Sequence, residues 1–158
     1  MDTACLRTAP RTVSEGLDFL IGSWDVTGAT FDGSAEPKGE VTGEECFTWS
    51  EDGSLLIHTW RHERVSCSAE TVSAGYEFID AEPGTARLRS LLFHSLGPFQ
   101  DDGIPYYGRL DGERVVLTGP LRVTRTLAYD GAVTVESELP VSRDRWVTTE
   151  HCILTRLP

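Results

Sequence analysis

Hydrophobic positions recur with period two along most of this chain, in short runs separated by turn-forming residues. Alternation of this kind marks strands that bury one face and solvate the other. Ten such runs are read: Trp24 to Phe31, Glu40 to Ser50, Leu55 to Val65, Ser73 to Asp80, Thr85 to Leu96, Tyr106 to Leu110, Glu113 to Thr118, Leu121 to Tyr129, Ala132 to Leu139 and Arg145 to Arg156. The turns between them include Glu51-Asp52-Gly53-Ser54, Ala81-Glu82-Pro83-Gly84, Asp111-Gly112, Gly119-Pro120 and Asp130-Gly131. An Asp-Gly pair between alternating runs favours a tight hairpin, since both positions tolerate positive φ. Short strands at regular spacing joined by tight turns predict an all-β, up-and-down antiparallel β-barrel of about ten strands. A barrel of that width leaves room for one small ligand.

The pattern changes in the N-terminal stretch Leu17-Asp18-Phe19-Leu20-Ile21-Gly22-Ser23-Trp24, where large apolar residues cluster ahead of a Gly-x-Trp step. Thr12-Val13-Ser14-Glu15 fits a capping box. A short helix of about two turns is therefore expected, ending near Ile21 because Gly16 weakens a longer one. Trp24 is expected to plug one end of the barrel. Residues 1–11 read as a loose lead-in to a single domain spanning 1–158.

A chain of 158 residues suffices for one such domain, burying about 70% of its unfolded surface. Its formal net charge of -11, with Lys38 as the one lysine, argues against nucleic acid and anionic membrane surfaces as partners. No apolar run is long enough to span a bilayer, and residues 1–16 lack a secretory core, so a cytoplasmic location is expected. Cys5, Cys46, Cys67 and Cys152 are scattered and read as reduced thiols.

The candidate chemistry follows from face assignments. Glu45 shares a face with Val41, Phe47 and Trp49; buried there, its pKa should rise unless a cation or hydroxyl meets it. His58, Trp60 and His62 share a face, inward in one register and solvated in the other. On a strand the two histidines lie about 13 Å apart, too far for a single metal. His94 alternates with Ser90, Leu92 and Leu96 and is expected inside. His151 alternates with Val147, Thr149 and Ile153, also a plausible inward face. Tyr76, Tyr107 and Tyr129 are potential hydrogen-bond donors or wall residues. Glu136 and Glu138 are expected in solvent, with one of Arg122 and Arg125 beside them and the other inside. Phe99, Ile104 and Pro105 place apolar groups on the longest loop, Gly97 to Pro105, which reads as a lid or as a plain connection.

Several of these stretches together resemble bacterial lipocalin-like (calycin) barrels of unknown function, distantly similar to nitrobindin-type ten-stranded barrels. The carriers are Leu17 to Trp24, Gly75-Tyr76, Leu92-Phe93-His94-Ser95-Leu96-Gly97, Tyr107-Gly108 with Asp111-Gly112, and Trp146. The resemblance implies an internal cavity; such families include haem proteins, carriers, and cofactor-free barrels that shape reactive intermediates of natural-product pathways. His151 stands where nitrobindin-type barrels carry a haem ligand, although the strand after Trp24 lacks their tight glycine repeat. No nucleophile elbow, phosphate loop or Cys/His metal set is present. The resulting expectation is a cavity for a lipophilic small molecule and a cofactor-free cyclase or isomerase. Glu45, His94 and Tyr107 would be catalytic, with Trp49, His58, Trp60, Tyr76, Phe99 and His151 contacting the ligand. A non-catalytic carrier and a haem protein using His151 are the alternatives, and a homodimer is compatible with each.

Overall fold

The computed structural model describes residues 13–95 and 103–158, and the alternating runs within them form strands. These are β1 (Gly22–Thr30), β2 (Gly39–Trp49), β3 (Leu55–Ser66), β4 (Glu70–Ala81), β5 (Arg87–His94), β6 (Ile104–Asp111), β7 (Arg114–Thr118), β8 (Arg122–Leu127), β9 (Val133–Ser142) and β10 (Arg145–Arg156). Each pairs antiparallel with its sequence neighbours, and β1 pairs with β10, from Trp24 opposite Arg156 to Thr30 opposite Glu150. That last pairing satisfies the two backbone edges an open sheet would expose. The structure is therefore the expected ten-stranded up-and-down barrel.

Two local expectations change. Ile104 and Pro105 belong to β6, opposite Leu92 and Leu91, so they are wall rather than lid. Phe99 lies outside the described residues. At the N-terminus the helix is one turn, α1 (Val13–Gly16), followed by a 3-10 turn over Asp18–Leu20. Gly16 explains the early stop: it has low helix propensity, and a Cβ there would run into the Leu110 side chain. Thr12, the first residue of the expected capping box, is also outside the described residues.

This N-terminal segment closes one end of the barrel. Leu17 and Leu20 are buried with Trp24, Phe47, Leu56, Ile79, Leu117 and Leu154. Trp24 donates its indole N–H to the Leu20 carbonyl at 2.8 Å. Trp49 donates to Asp18 at 3.1 Å, and Arg156, stacked 4.2 Å over the Trp24 ring, donates to the Ile21 carbonyl. The opposite end, where β2, β4 and β6 begin, holds the polar inward residues.

One irregularity decides what faces inward on β10. The β9–β10 register shifts between Thr148 and Glu150. A bulge of this kind adds one residue to a strand and reverses the facing of everything beyond it. Val147 pairs with Leu139 before the shift; after it, Glu150, Cys152 and Leu154 turn into the lumen.

Candidate functional site

The inward face of β3 carries Leu56, His58, Trp60, His62 and Arg64, opposite Phe47 and Glu45 on β2. The neighbouring β4 contributes Ser73, Gly75, Glu77 and Ile79. Gly75 is needed under Trp60, because a Cβ there would come within 2.5 Å of the indole. A chain that shows mostly apolar residues inside thus gathers seven polar ones in its lumen: Glu45, His58, His62, Ser73, Glu77, Ser90 and Arg125 are all buried.

They form one hydrogen-bonded chain. His58 lies between two carboxylates, its Nε2 at 2.8 Å from Glu45 and its Nδ1 at 3.1 Å from Glu77. Its ring stacks on Phe47 with centroids 4.1 Å apart. Glu45 accepts a second contact, from His62 Nε2 at 3.0 Å. Glu77 accepts from Ser90 Oγ at 2.7 Å and is reached across the lumen by Arg125 Nη2 at 3.4 Å. Toward the end opposite Trp24, Arg64 donates to both oxygens of Glu150, at 2.6 and 3.2 Å, and to Ser73 at 2.6 Å. This pair crosses β1 and β2 from within.

The charges follow from these contacts. Burial alone would push the Glu45 carboxyl up; the His58 charge, with the His58 and His62 hydrogen bonds and Arg125, overcomes it and holds the carboxyl well below the usual range. For Glu77 burial again opposes, and the Arg125 charge with His58 and Ser90 brings it down to about 2. Burial pulls His58 down, but Glu45 and Glu77 win, and its pKa is raised above 6.5. Both ring nitrogens of His58 therefore donate, as an imidazolium. His62 differs. With its Nε2 proton directed at Glu45, its Nδ1 is left as an acceptor, 3.4 Å from Arg64 Nη2. A carboxylate that sets the tautomer of an imidazole in this way is a recurrent arrangement for proton transfer.

The pH dependence of stability has opposite signs for the two kinds of group. Glu77 contributes fully above its unfolded value of about 4.5, and the contribution is lost as pH falls toward about 2. His58 contributes fully below 6.5 and the contribution is lost as pH rises through its raised folded value. The urea midpoint is expected to be highest between about pH 4.5 and 6.5 and to fall on both sides. His58→Gln should remove the alkaline decline; its persistence would show that the decline has another source.

The other sequence-derived candidates are dispersed. Glu45 is inside, as an ionised acceptor: two histidines meet it, so the exception to a raised pKa applies. Trp49 is fastened to Asp18 at the closed end. Tyr107 is 66% exposed on the outer face of β6, and the buried tyrosine is its neighbour Tyr106. Tyr76 is 48% exposed and joins Phe78 and Phe93 in an aromatic cluster on the outside of β4 and β5. That cluster is why the alternation of β4 misleads: the more aromatic face is the outer one, and Glu77 is on the inner. His94 continues the inward row of Ser90 and Leu92, but at the exposed rim. His151 lies opposite Glu136 and Ala29 on the outer face, because the bulge reverses its side. It points away from the lumen, and both lumen histidines give Nε2 to Glu45, so these residues do not fit a haem seated inside. Arg122 meets Glu138 outside at 2.7 Å while Arg125 enters the lumen.

Glu77, Ser90, Arg64 and Glu150 were not legible as site residues. Their signal is parity with Ile79, Leu88, His62 and Leu154, which becomes readable once the register is known. Neither a family model nor a curated protein matches this chain.

Proposed function

We propose that the half of the lumen away from Trp24 binds a lipophilic small molecule and that the barrel acts on it as a cofactor-free isomerase or cyclase. The observation that carries this reading is the Glu45–His62 pair beside Arg64. Glu45 holds the imidazole with Nδ1 as its acceptor, and a substrate proton would take the place of the long 3.4 Å contact from Arg64. A proton taken from one carbon and returned to another needs no oxidant and no cofactor. Arg64 stands where it would attract the electron density left behind. Trp60, Leu92 and Ile104 supply apolar wall, and Tyr106 lies buried beside it.

A base in an apolar cavity can be assayed without the natural substrate. 5-Nitrobenzisoxazole loses its C3 proton to a base as its N–O bond breaks, releasing a coloured cyanonitrophenolate. Wild type is expected to saturate with this probe and to accelerate the elimination, and His62→Ala to lower the rate roughly 10²-fold. Glu45→Gln should act in the same direction by releasing the tautomer. An unchanged rate in His62→Ala would remove this residue as the base.

One observation favours a carrier instead: every carboxylate of the lumen is already matched by a cation. Saturable binding of the probe without elimination above the buffer rate would establish that reading over catalysis.

A further inference from the structure

Arg125 is 5% exposed, sits on β8 and reaches across the lumen to Glu77 with Nη2 alone. Its Nη2 also lies 3.5 Å from His58 Nδ1, but that nitrogen faces Glu77 and offers Arg125 no lone pair. Nε and Nη1 are buried and have no acceptor among the described residues. A guanidinium has five N–H bonds, and three of them are carried by these two atoms. Leaving such donors unmade in a protein interior is costly, and more so on a charged group. The Phe47 ring, 5.6 Å from Cζ, softens the charge but accepts no directed hydrogen bond.

Charge balance decides what kind of acceptor suits these donors. Glu45 and Glu77 are offset by the His58 imidazolium and Arg125, and Glu150 is offset by Arg64. A fully anionic ligand would add an unmatched buried charge, which is strongly disfavoured. A neutral oxygen acceptor would satisfy an orphaned donor and leave the balance intact.

We infer that the lumen ligand is a neutral, carbonyl-bearing lipophile whose oxygen is received by one of the unpaired N–H groups of Arg125. This rests on the lumen-binding reading above and narrows it to a substrate class. Arg125 and His62 are then two ends of one chain, joined through His58 and Glu45.

The test uses the whole protein and three chains of matched length. Displacement of N-phenyl-1-naphthylamine by 2-dodecanone, methyl undecyl ether and dodecanoate ranks ketone, weak acceptor and anion. The ketone is expected to bind about tenfold more tightly than either, the size of one hydrogen bond to a charged group. In Arg125→Leu, and in Arg125→Lys where an ammonium charge remains but the guanidinium fork is gone, that preference should shrink to within about threefold. Infrared difference spectra of carbonyl-labelled 2-dodecanone on wild type need no variant, and the bound carbonyl band should lie below its position in hexane. Dye binding with an unshifted carbonyl band, or with dodecanoate preferred, would overturn this inference alone. Failure of the dye and of all three chains to bind would overturn the lumen-binding reading and the inference with it.

Discussion

Replacing Glu77 with alanine is expected to destabilise the protein by about 3–5 kcal/mol, the usual cost of removing one partner from a buried ion pair. Glu77 is 2% exposed and accepts from three groups: His58, Ser90 and Arg125. Its loss leaves Arg125 with no acid in contact and His58 with Glu45 alone. Neither cation can turn to water, because both are buried on the far side of the wall. In urea the midpoint should fall by about 2 M. The double replacement Glu77→Leu with Arg125→Met offers the decisive comparison. Exchanging both charges for apolar side chains of similar volume is often close to neutral. The double variant should therefore be more stable than Glu77→Ala, although it has lost more contacts. If the double variant were the less stable of the two, the ion pair would itself be a source of stability rather than a balance of costs.

The second large effect is expected at the closed end. Trp24→Ala should cost about 3–5 kcal/mol, as for other large aromatic side chains deleted from cores. For a chain of this length that corresponds to a drop in Tm of about 10 °C or more. Trp24 is fully buried, supports the Arg156 guanidinium and ties β1 to Leu20 through its indole N–H. Trp24→Phe separates these contributions. It keeps most of the apolar area and loses the donor, leaving a buried carbonyl at Leu20 and a cost of about 1–3 kcal/mol. Calorimetric unfolding of both variants checks the order. A loss below about 1 kcal/mol in Trp24→Ala would mean that the N-terminal segment does not close the barrel.

The two sites differ in how they could be read in advance. Trp24 belongs to a local pattern: a run of apolar residues, a glycine step and an alternating strand, all within a dozen residues. Glu77 belongs to none. Its face is decided by parity on β4, where Tyr76, Phe78 and Phe93 form an outer aromatic cluster more conspicuous than the inner row of Ser73, Gly75 and Glu77. Hydrophobic character alone would turn that strand inside out. Alternation alone leaves His58, Trp60 and His62 open between inside and outside, and leans outward because Leu55 and Ile57 claim the opposite face for the core. The decision in the structure comes from Glu45 and Glu77, which flank His58 on the two adjacent strands.

By itself the sequence determined the strands, their order and their antiparallel meander, because alternation and turn chemistry act over a few residues and do not depend on distant partners. It also determined the closed end around Trp24, for the same reason. Tertiary structure alone decided the site. Arg125 meets Glu77 across 48 positions and Arg64 meets Glu150 across 86, inside a lumen that exists once β1 pairs with β10. A single bulge near Thr149 sends His151 out and Glu150 in. A one-residue shift is invisible to composition, yet with a side-chain period of two it exchanges the two faces of the strand.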